Sequence, residues 1–310
     1  MRVVSLLPSA TEIVAALGAM EHLVGVTHCC DYPPQVDSRV RVTRTAIDAD
    51  AAPGVVDAQV REITASGAPL YTLDEERIRA LKPDLILTQA LCEVCAVMET
   101  DVRAVAARLD APPQVLTLSA TSLDGVLEDI VAVGHALGLA DEATEWVAGA
   151  RMRMRRVHET LKAAKAPRPR VAVIEWGEPI YAAGHWVPEM IKRAGGIDVL
   201  ALPGEHSVVK TLAQVRAAEA EILLIAPCGY DLPRAIDEAE RLLGLDDWAF
   251  ARDRQVFALD ANAFASRPGP RLIDGIEVMA RLFNPQLFSP IDPSFAQAIT
   301  DAAKHAVPVA

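Results

Sequence analysis

The chain has 310 residues, 51% hydrophobic, 5% aromatic and 23% charged, and its 30 Lys and Arg against 42 Asp and Glu leave a net charge of −12. This is globular composition, and at roughly 150 residues per domain it allows two cores. The acidic balance argues against a nucleic-acid surface or adsorption to an anionic membrane, and no apolar run reaches the roughly 18–20 residues of a membrane span. Met1-Arg2 leads straight into Val3-Val4-Ser5-Leu6-Leu7, and Pro8 interrupts that run too soon for the apolar stretch of a secretory leader. The expectation is therefore a cytoplasmic protein, or a periplasmic or extracellular one if a leader was removed. In a reducing compartment the five cysteines (Cys29, Cys30, Cys92, Cys95 and Cys228) read as ligands, reactive thiols or core residues ahead of a disulfide framework.

In chain order, residues 2–7 read as a strand. Ser9-Ala10-Thr11-Glu12 then has the spacing of a capping box opening a helix that Gly18 ends. Strands follow at 23–27, 69–73, 84–89 and 114–118, with helices at 55–66, 74–81, 99–109 and 122–138. Such alternation predicts a mostly parallel sheet covered by helices. Residues 141–164 form one long helical stretch with a basic tail, stopped by Pro167-Arg168-Pro169. Its length suits a strut between two lobes. The alternation then restarts, with strands at 170–176, 221–226 and 255–259 and helices at 188–194, 211–218, 232–243 and 269–283. The fold class is α/β: two Rossmann-like lobes with parallel sheets, residues 1–140 and 167–288, joined by a backbone helix at 141–166. Residues 289–310 are expected to be a tail without a core role. A short helix, an apolar strand and a cysteine recur around Leu85–Cys92 and Ile222–Cys228, as if the halves shared one plan.

Chemically capable side chains gather at strand ends. His28, Cys29 and Cys30 follow one strand, Cys92 and Cys95 another, Glu175 and Trp176 end a third, and Cys228 follows a fourth. Ligands of parallel α/β sheets bind outside the carboxyl ends of strands, so these groups are expected to line one cleft. His28, Cys29, Cys30, Cys92 and Cys95 supply enough soft donors for a metal ion, although adjacent cysteines share a tetrahedral ion poorly. Cys228, taken alone, reads as a packing residue before a chemical one. His185 and Trp186 sit in a loop entering a helix, either stacking on a flat ligand or serving as a cap and a core residue. Arg267 and Arg271 flank Pro268-Gly269-Pro270, suited to carboxylate, phosphate or amide oxygens or to ion pairs with Asp253 or Asp274. Phosphate-loop, dinucleotide, zinc-protease and nucleophile-elbow motifs are absent, and no nucleophile–base pair stands out, which points away from an enzyme.

Several segments carry a family resemblance. Val4-Ser5-Leu6-Leu7-Pro8-Ser9-Ala10-Thr11-Glu12-Ile13, Glu76-Arg77-Ile78-Arg79-Ala80-Leu81-Lys82-Pro83-Asp84-Leu85-Ile86 and Ala194-Gly195-Gly196 resemble substrate-binding proteins for cobalamin and ferric siderophores. His28-Cys29-Cys30-Asp31-Tyr32-Pro33, Leu91-Cys92-Glu93-Val94-Cys95, Gly184-His185-Trp186, Pro227-Cys228-Gly229 and Arg267-Pro268-Gly269-Pro270-Arg271 resemble a branch labelled cobalamin-binding protein. The resemblance implies two lobes on a rigid helix, with a small-molecule ligand in the cleft. It implies a corrinoid ligand packed by Trp176, Tyr181, Trp186 and Tyr32, approached at its metal by His28 or His185 and met at its amides or phosphate by Arg267 and Arg271. It also implies an ABC permease as partner, docked through Glu76. The second docking acid falls at Ala213, so that contact is expected to be lost. Alternatives at this point are a metal- or haem-binding protein using the His/Cys cluster, or an enzyme of corrinoid or tetrapyrrole metabolism.

Overall fold

The computed structural model describes residues 1–90 and 97–306. The chain divides into two compact units. The first comprises residues 1–120 and 124–148, the second residues 121–123 and 149–310.

The first unit opens with β1 (Val3–Ser5), α1 (Pro8–Ala16), β2 (Leu23–Val26), β3 (Val40–Arg41) and β4 (Thr43–Thr45). It continues through α2 (Pro53–Ser66), β5 (Tyr71–Leu73), α3 (Glu75–Leu81), β6 (Leu85–Gln89), α4 (Glu99–Ala107) and β7 (Gln114–Leu118). Helices α5 (Leu123–Leu137) and α6 (Ala140–Ala163) follow, and the boundary between the units falls inside α6. Five strands form a parallel sheet in the order β3-β2-β1-β6-β7, and β4 and β5 make a separate antiparallel pair. Strands β1 and β6 are buried at every residue but Gln89 because helices cover both faces of a parallel sheet. Val4, Leu6, Ile78, Ile86 and Val102 form the core between that sheet and its helices.

The second unit contains β8 (Arg170–Gly177), β9 (Ile180–Ala182), α7 (Val187–Arg193), β10 (Ile197–Asp198), β11 (Val208–Val209), α8 (Leu212–Ala217) and β12 (Ile222–Ile225). It ends with α9 (Leu232–Gly244), β13 (Gln255–Leu259), α10 (Ala261–Phe264), α11 (Leu272–Phe283), β14 (Ala296–Ala298) and α12 (Asp301–Ala306). Its sheet runs β11-β9-β8-β12-β13-β14, with β10 also on β8. The inner strands β8, β12 and β13 are parallel, whereas β9, β11 and β14 are antiparallel additions. The fold class is thus the expected α/β, with one main sheet per unit, the small β4–β5 pair beside the first and mixed pairing at the margins of the second. Among the described residues no helix is long and apolar enough to cross a membrane.

Three local expectations are corrected. Helix α1 starts at Pro8, with Leu7 as its N-cap and no capping bond from a side chain. Proline has its φ preset and no N–H to leave unpaired, so it takes the first helical position and places Ser9 inside the helix. Helix α11 begins at Leu272, because residues 267–271 form a turn in which Gly269 N–H donates to the Arg267 carbonyl at 2.8 Å. Most substantially, the tail is structural. Strand β14 pairs with β13, Thr300 donates its hydroxyl to the Arg254 carbonyl at 2.7 Å, and Ala303 of α12 is fully buried.

Asp198, at the end of β10, accepts backbone N–H bonds from Leu200 at 2.8 Å and Ala201 at 2.9 Å. Burial outweighs those bonds and the nearby Lys210, and its carboxyl is pushed up to about 6. An acid raised in the fold binds its proton more tightly there than in the unfolded chain. Its contribution to stability is therefore full below about pH 4, falls between pH 4 and 6 and stays low above. At about 1.4 kcal/mol per tenfold in proton affinity, the loss is on the order of 2–3 kcal/mol. Asp129, pushed up to about 6 mainly by burial, acts in the same direction. Asp198→Asn keeps an acceptor oxygen and has no charge to bury, so urea denaturation at pH 4 and pH 7.5 should show a smaller difference for the variant than for the wild type.

Candidate functional site

Both units bring their polar groups to the carboxyl ends of their parallel strands. In the first unit the chain leaves β2 through Thr27 and turns sharply, Cys30 N–H donating to the Thr27 carbonyl at 3.2 Å. Arg41 clamps the turn by donating to the carbonyls of Thr27 at 3.2 Å and Cys30 at 2.6 Å. Cys30 points inward, 2% exposed, with its sulfur 3.1 Å from the Thr11 hydroxyl. Cys29 points outward, its sulfur 3.6 Å from Nε2 of His28. His28 lies over Tyr71 with ring centroids 5.6 Å apart, and its Nδ1 is 2.7 Å from the Thr43 hydroxyl. Burial first, and Arg41 second, hold the His28 imidazole below its ordinary range. Tyr32 is 44% exposed.

The proposed His/Cys metal set is thus split. Cys30 faces the core, His28 and Cys29 face each other, and Cys92 and Cys95 lie outside the described residues. Among the described residues, no three His, Cys, Asp or Glu side chains converge as metal ligands.

In the second unit, β8 delivers Glu175 and Trp176 to its carboxyl end. The Glu175 carboxylate accepts from the Ser207 hydroxyl at 2.9 Å and from Gly184 N–H, yet burial dominates and raises its proton affinity. Gly184 must be glycine. A Cβ there would lie 2.5 Å from the carbonyl oxygen of Glu205, the carbonyl carbon of His206 and the amide nitrogen of Ser207. That close approach lets loop 204–207 run alongside His185, whose carbonyl accepts from Gly204 N–H at 2.8 Å. His185 then meets His206, Nε2 to Nδ1, at 3.1 Å. The backbone of His185 is left-handed, with φ 54°. Non-glycine residues adopt that conformation where neighbouring contacts impose it. Burial, and secondarily His206, keep His185 below its ordinary range.

Beside Glu175, Trp176 is half-buried and meets Tyr230 edge to face at 5.6 Å. Arg234 covers the Tyr230 ring at 3.8 Å. Tyr181 on β9 lies opposite Trp176 in the strand register and is also half-buried. Cys228, just past β12, donates its N–H to the Glu175 carbonyl at 3.0 Å. Arg267 and Arg271 are half-buried beside Asp260, and Arg271 reaches the Asn262 carbonyl at 3.4 Å. Asp274, a candidate partner for these arginines, instead pairs with Arg153 of α6.

Trp186 does not fit its expected role. It is 5% exposed, and its indole N–H is spent on the Ala265 carbonyl at 2.7 Å, so it is a core residue. Sequence reasoning missed His206, Ser207, Tyr230 and Thr43, which reach the site through contacts distant in the chain. The one available signal was a polar triplet, Glu205-His206-Ser207, directly after Gly204.

The periplasmic binding protein family model matches residues 3–263. An uncharacterised ABC transporter substrate-binding lipoprotein of Bacillus subtilis, YvrC, is 25% identical over 93% of this chain and 81% of its own length. The vitamin B12-binding protein of Vibrio cholerae is 23% identical over 89% of this chain and 86% of its own length. Among solved structures, a periplasmic heme-binding protein from Pseudomonas aeruginosa aligns with a TM-score of 0.71 at 22% identity, covering 96% of this chain and 97% of that one. The periplasmic vitamin B12-binding protein BtuF of Vibrio cholerae gives 0.62 at 23%, covering 90% and 94%.

These findings overturn the cytoplasmic expectation: the family model is that of periplasmic proteins and the Bacillus relative is a lipoprotein, so the protein groups with extracytoplasmic binding proteins. An α/β chain with one strand-end site in each unit, matched over most of its length, belongs to the periplasmic binding protein family, whose ABC-transporter-type members bind small-molecule substrates and are not enzymes.

Proposed function

We propose that this protein is the extracytoplasmic binding component of an ABC-type importer and that its ligand is a corrinoid of the cobalamin type. The observation that carries the reading is the continuity of the second-unit site. Trp176 with Tyr230, Glu175 with Ser207, and His206 with His185 form one contiguous run of aromatic, acidic and imidazole groups. A large, partly flat ligand with a central metal and peripheral amides needs those three things: an aromatic face, a buried hydrogen-bonding group and an imidazole. The similarity to the vitamin B12-binding protein of Vibrio cholerae supports the choice.

In this reading Trp176 and Tyr181 pack on the macrocycle, and Arg267 and Arg271 meet amide or phosphate oxygens. Contact with the metal falls to His185, which has one ring nitrogen on His206, whereas both ring nitrogens of His28 already face Thr43 and Cys29. Tyr32 offers the first unit's exposed ring, and Glu76, exposed on α3, is the docking acid. Ala213, exposed on α8, offers no second acid.

Titration with aquocobalamin, followed in the visible spectrum and by calorimetry, tests the reading. Saturable binding with a spectral change is expected, with Trp176→Ala weakening it at least about tenfold, as the loss of a buried aromatic contact of about 1.4 kcal/mol or more would. No binding to cobalamin would overturn the corrinoid. Binding of haemin in its place would move the ligand to an iron tetrapyrrole.

A further inference from the structure

The turn after β2 carries a thiol and an imidazole that the proposed corrinoid contact leaves out. Cys29 is exposed, and Nε2 of His28 lies 3.6 Å from its sulfur, within reach of a sulfur hydrogen bond. The imidazole is held on three sides. Its Nδ1 is 2.7 Å from the Thr43 hydroxyl, its face rests on Tyr71, and its own backbone N–H donates to Thr43 at 2.9 Å. Thr43 is fixed in turn by the Thr27 hydroxyl at 2.7 Å. The neighbouring Cys30 is turned into the core, so the backbone of the turn presents one cysteine and hides the other. A nucleophile beside a base, with the base aimed by a third group, is the arrangement that activates a cysteine. With Nδ1 on the Thr43 hydroxyl, Nε2 is the ring nitrogen that faces the thiol and can take its proton.

We propose that Cys29 is a thiol-exchange site, with His28 as its base and Thr43 orienting that base, and that it reacts with low-molecular-weight disulfides. The thiol proton passes to Nε2 of His28. The Cys29 sulfur then attacks the near sulfur of the incoming disulfide, a new S–S bond forms, and the old one breaks. The far sulfur leaves as a thiolate with the bonding pair and takes the proton back from His28. Cys29 is oxidised to a mixed disulfide and half of the reagent is reduced, so no further oxidant is needed. Extracytoplasmic proteins meet such disulfides as a normal condition.

The test treats the reduced full-length protein with limiting dithiodipyridine and, separately, with cystine. Peptide mass mapping assigns each modified cysteine. Cys29 should react at least about tenfold faster than the same thiol in a short peptide of this turn, the lower end of what a positioned base supplies. His28→Gln should remove about a tenfold factor at Cys29 and leave the rate at Cys228 unchanged. Thr43→Ser, which keeps the hydroxyl, should retain most of the rate. A wild-type Cys29 no faster than the peptide, or a His28→Gln rate equal to wild type, would overturn the proposal. Should His28→Gln disturb the fold, buried Cys30 will label, and the comparison of wild type with peptide then decides.

Discussion

Gly184→Ala is expected to lower the stability of the protein by about 2–4 kcal/mol and to part His185 from His206. The added methyl meets three backbone atoms of residues 205–207, and backbone, unlike a side-chain tip, cannot rotate away. Overpacking costs about 1–3 kcal/mol even where side chains can adjust. Here loop 204–207 has to lift, and the bond from Ser207 to Glu175 goes with it. That leaves a carboxyl, already disfavoured as an anion by burial, without one of its two donors. Urea denaturation reads the stability, and imidazole NMR signals read the histidine pair. An unchanged midpoint would show that the loop lies elsewhere in solution. Affinity for the proposed corrinoid should fall with the loss of the pair, while Cys29 chemistry in the first unit should stay as it was.

Arg241→Ala is the second large effect, at about 3–5 kcal/mol, the cost of leaving a buried ion without its partner. Arg241 meets both oxygens of Glu238, at 2.7 and 2.9 Å, while the Glu238 side chain is only 3% exposed. Gly177 gives that carboxylate its space: a Cβ at this position would overlap Oε1 of Glu238. Arg241 also lies 3.6 Å from Glu178, an exposed acid that needs no partner. The double variant Arg241→Ala, Glu238→Gln should recover much of the loss, since a neutral amide is far less costly to bury than an unpaired anion. A double-mutant cycle in urea measures the coupling. Equal losses in the single and double variants would mean that the guanidinium acts by packing alone.

Much of the fold was legible because burial on both faces writes itself into a strand. The apolar run at 255–259 bounds a strand that the structure returns with the same limits and four of its five residues buried; residues 114–118 also keep their limits, although only Leu118 of that edge strand is buried. Helix starts were less legible, as Pro8 shows: the serine with the right spacing lost to a proline with the right φ. The site was half legible. Glu175, Trp176 and His185 sit where a strand or loop announces them, but their partners His206, Ser207 and Tyr230 arrive through long-range approach of loops that leaves no periodic trace. Cys29 and Cys30 are adjacent and opposite in fate, and nothing in the residue types says which of them turns inward. Trp186 failed for a related reason, because an indole suited to stacking is equally suited to a core that offers one carbonyl.

The C-terminal segment decides how the second unit's sheet is closed. The family model stops at residue 263. Strand β14, beyond that limit, closes the outer edge of β13, and α12 follows it with Ala303 fully buried. Without them, the backbone donors and acceptors along the outer side of β13 would be an open template for another chain, the usual route from a native sheet to self-association. The sheet is therefore closed by residues that lie beyond the family model, and residues 296–306 serve as insulation: they cover an edge on which one copy of the chain could otherwise add to another.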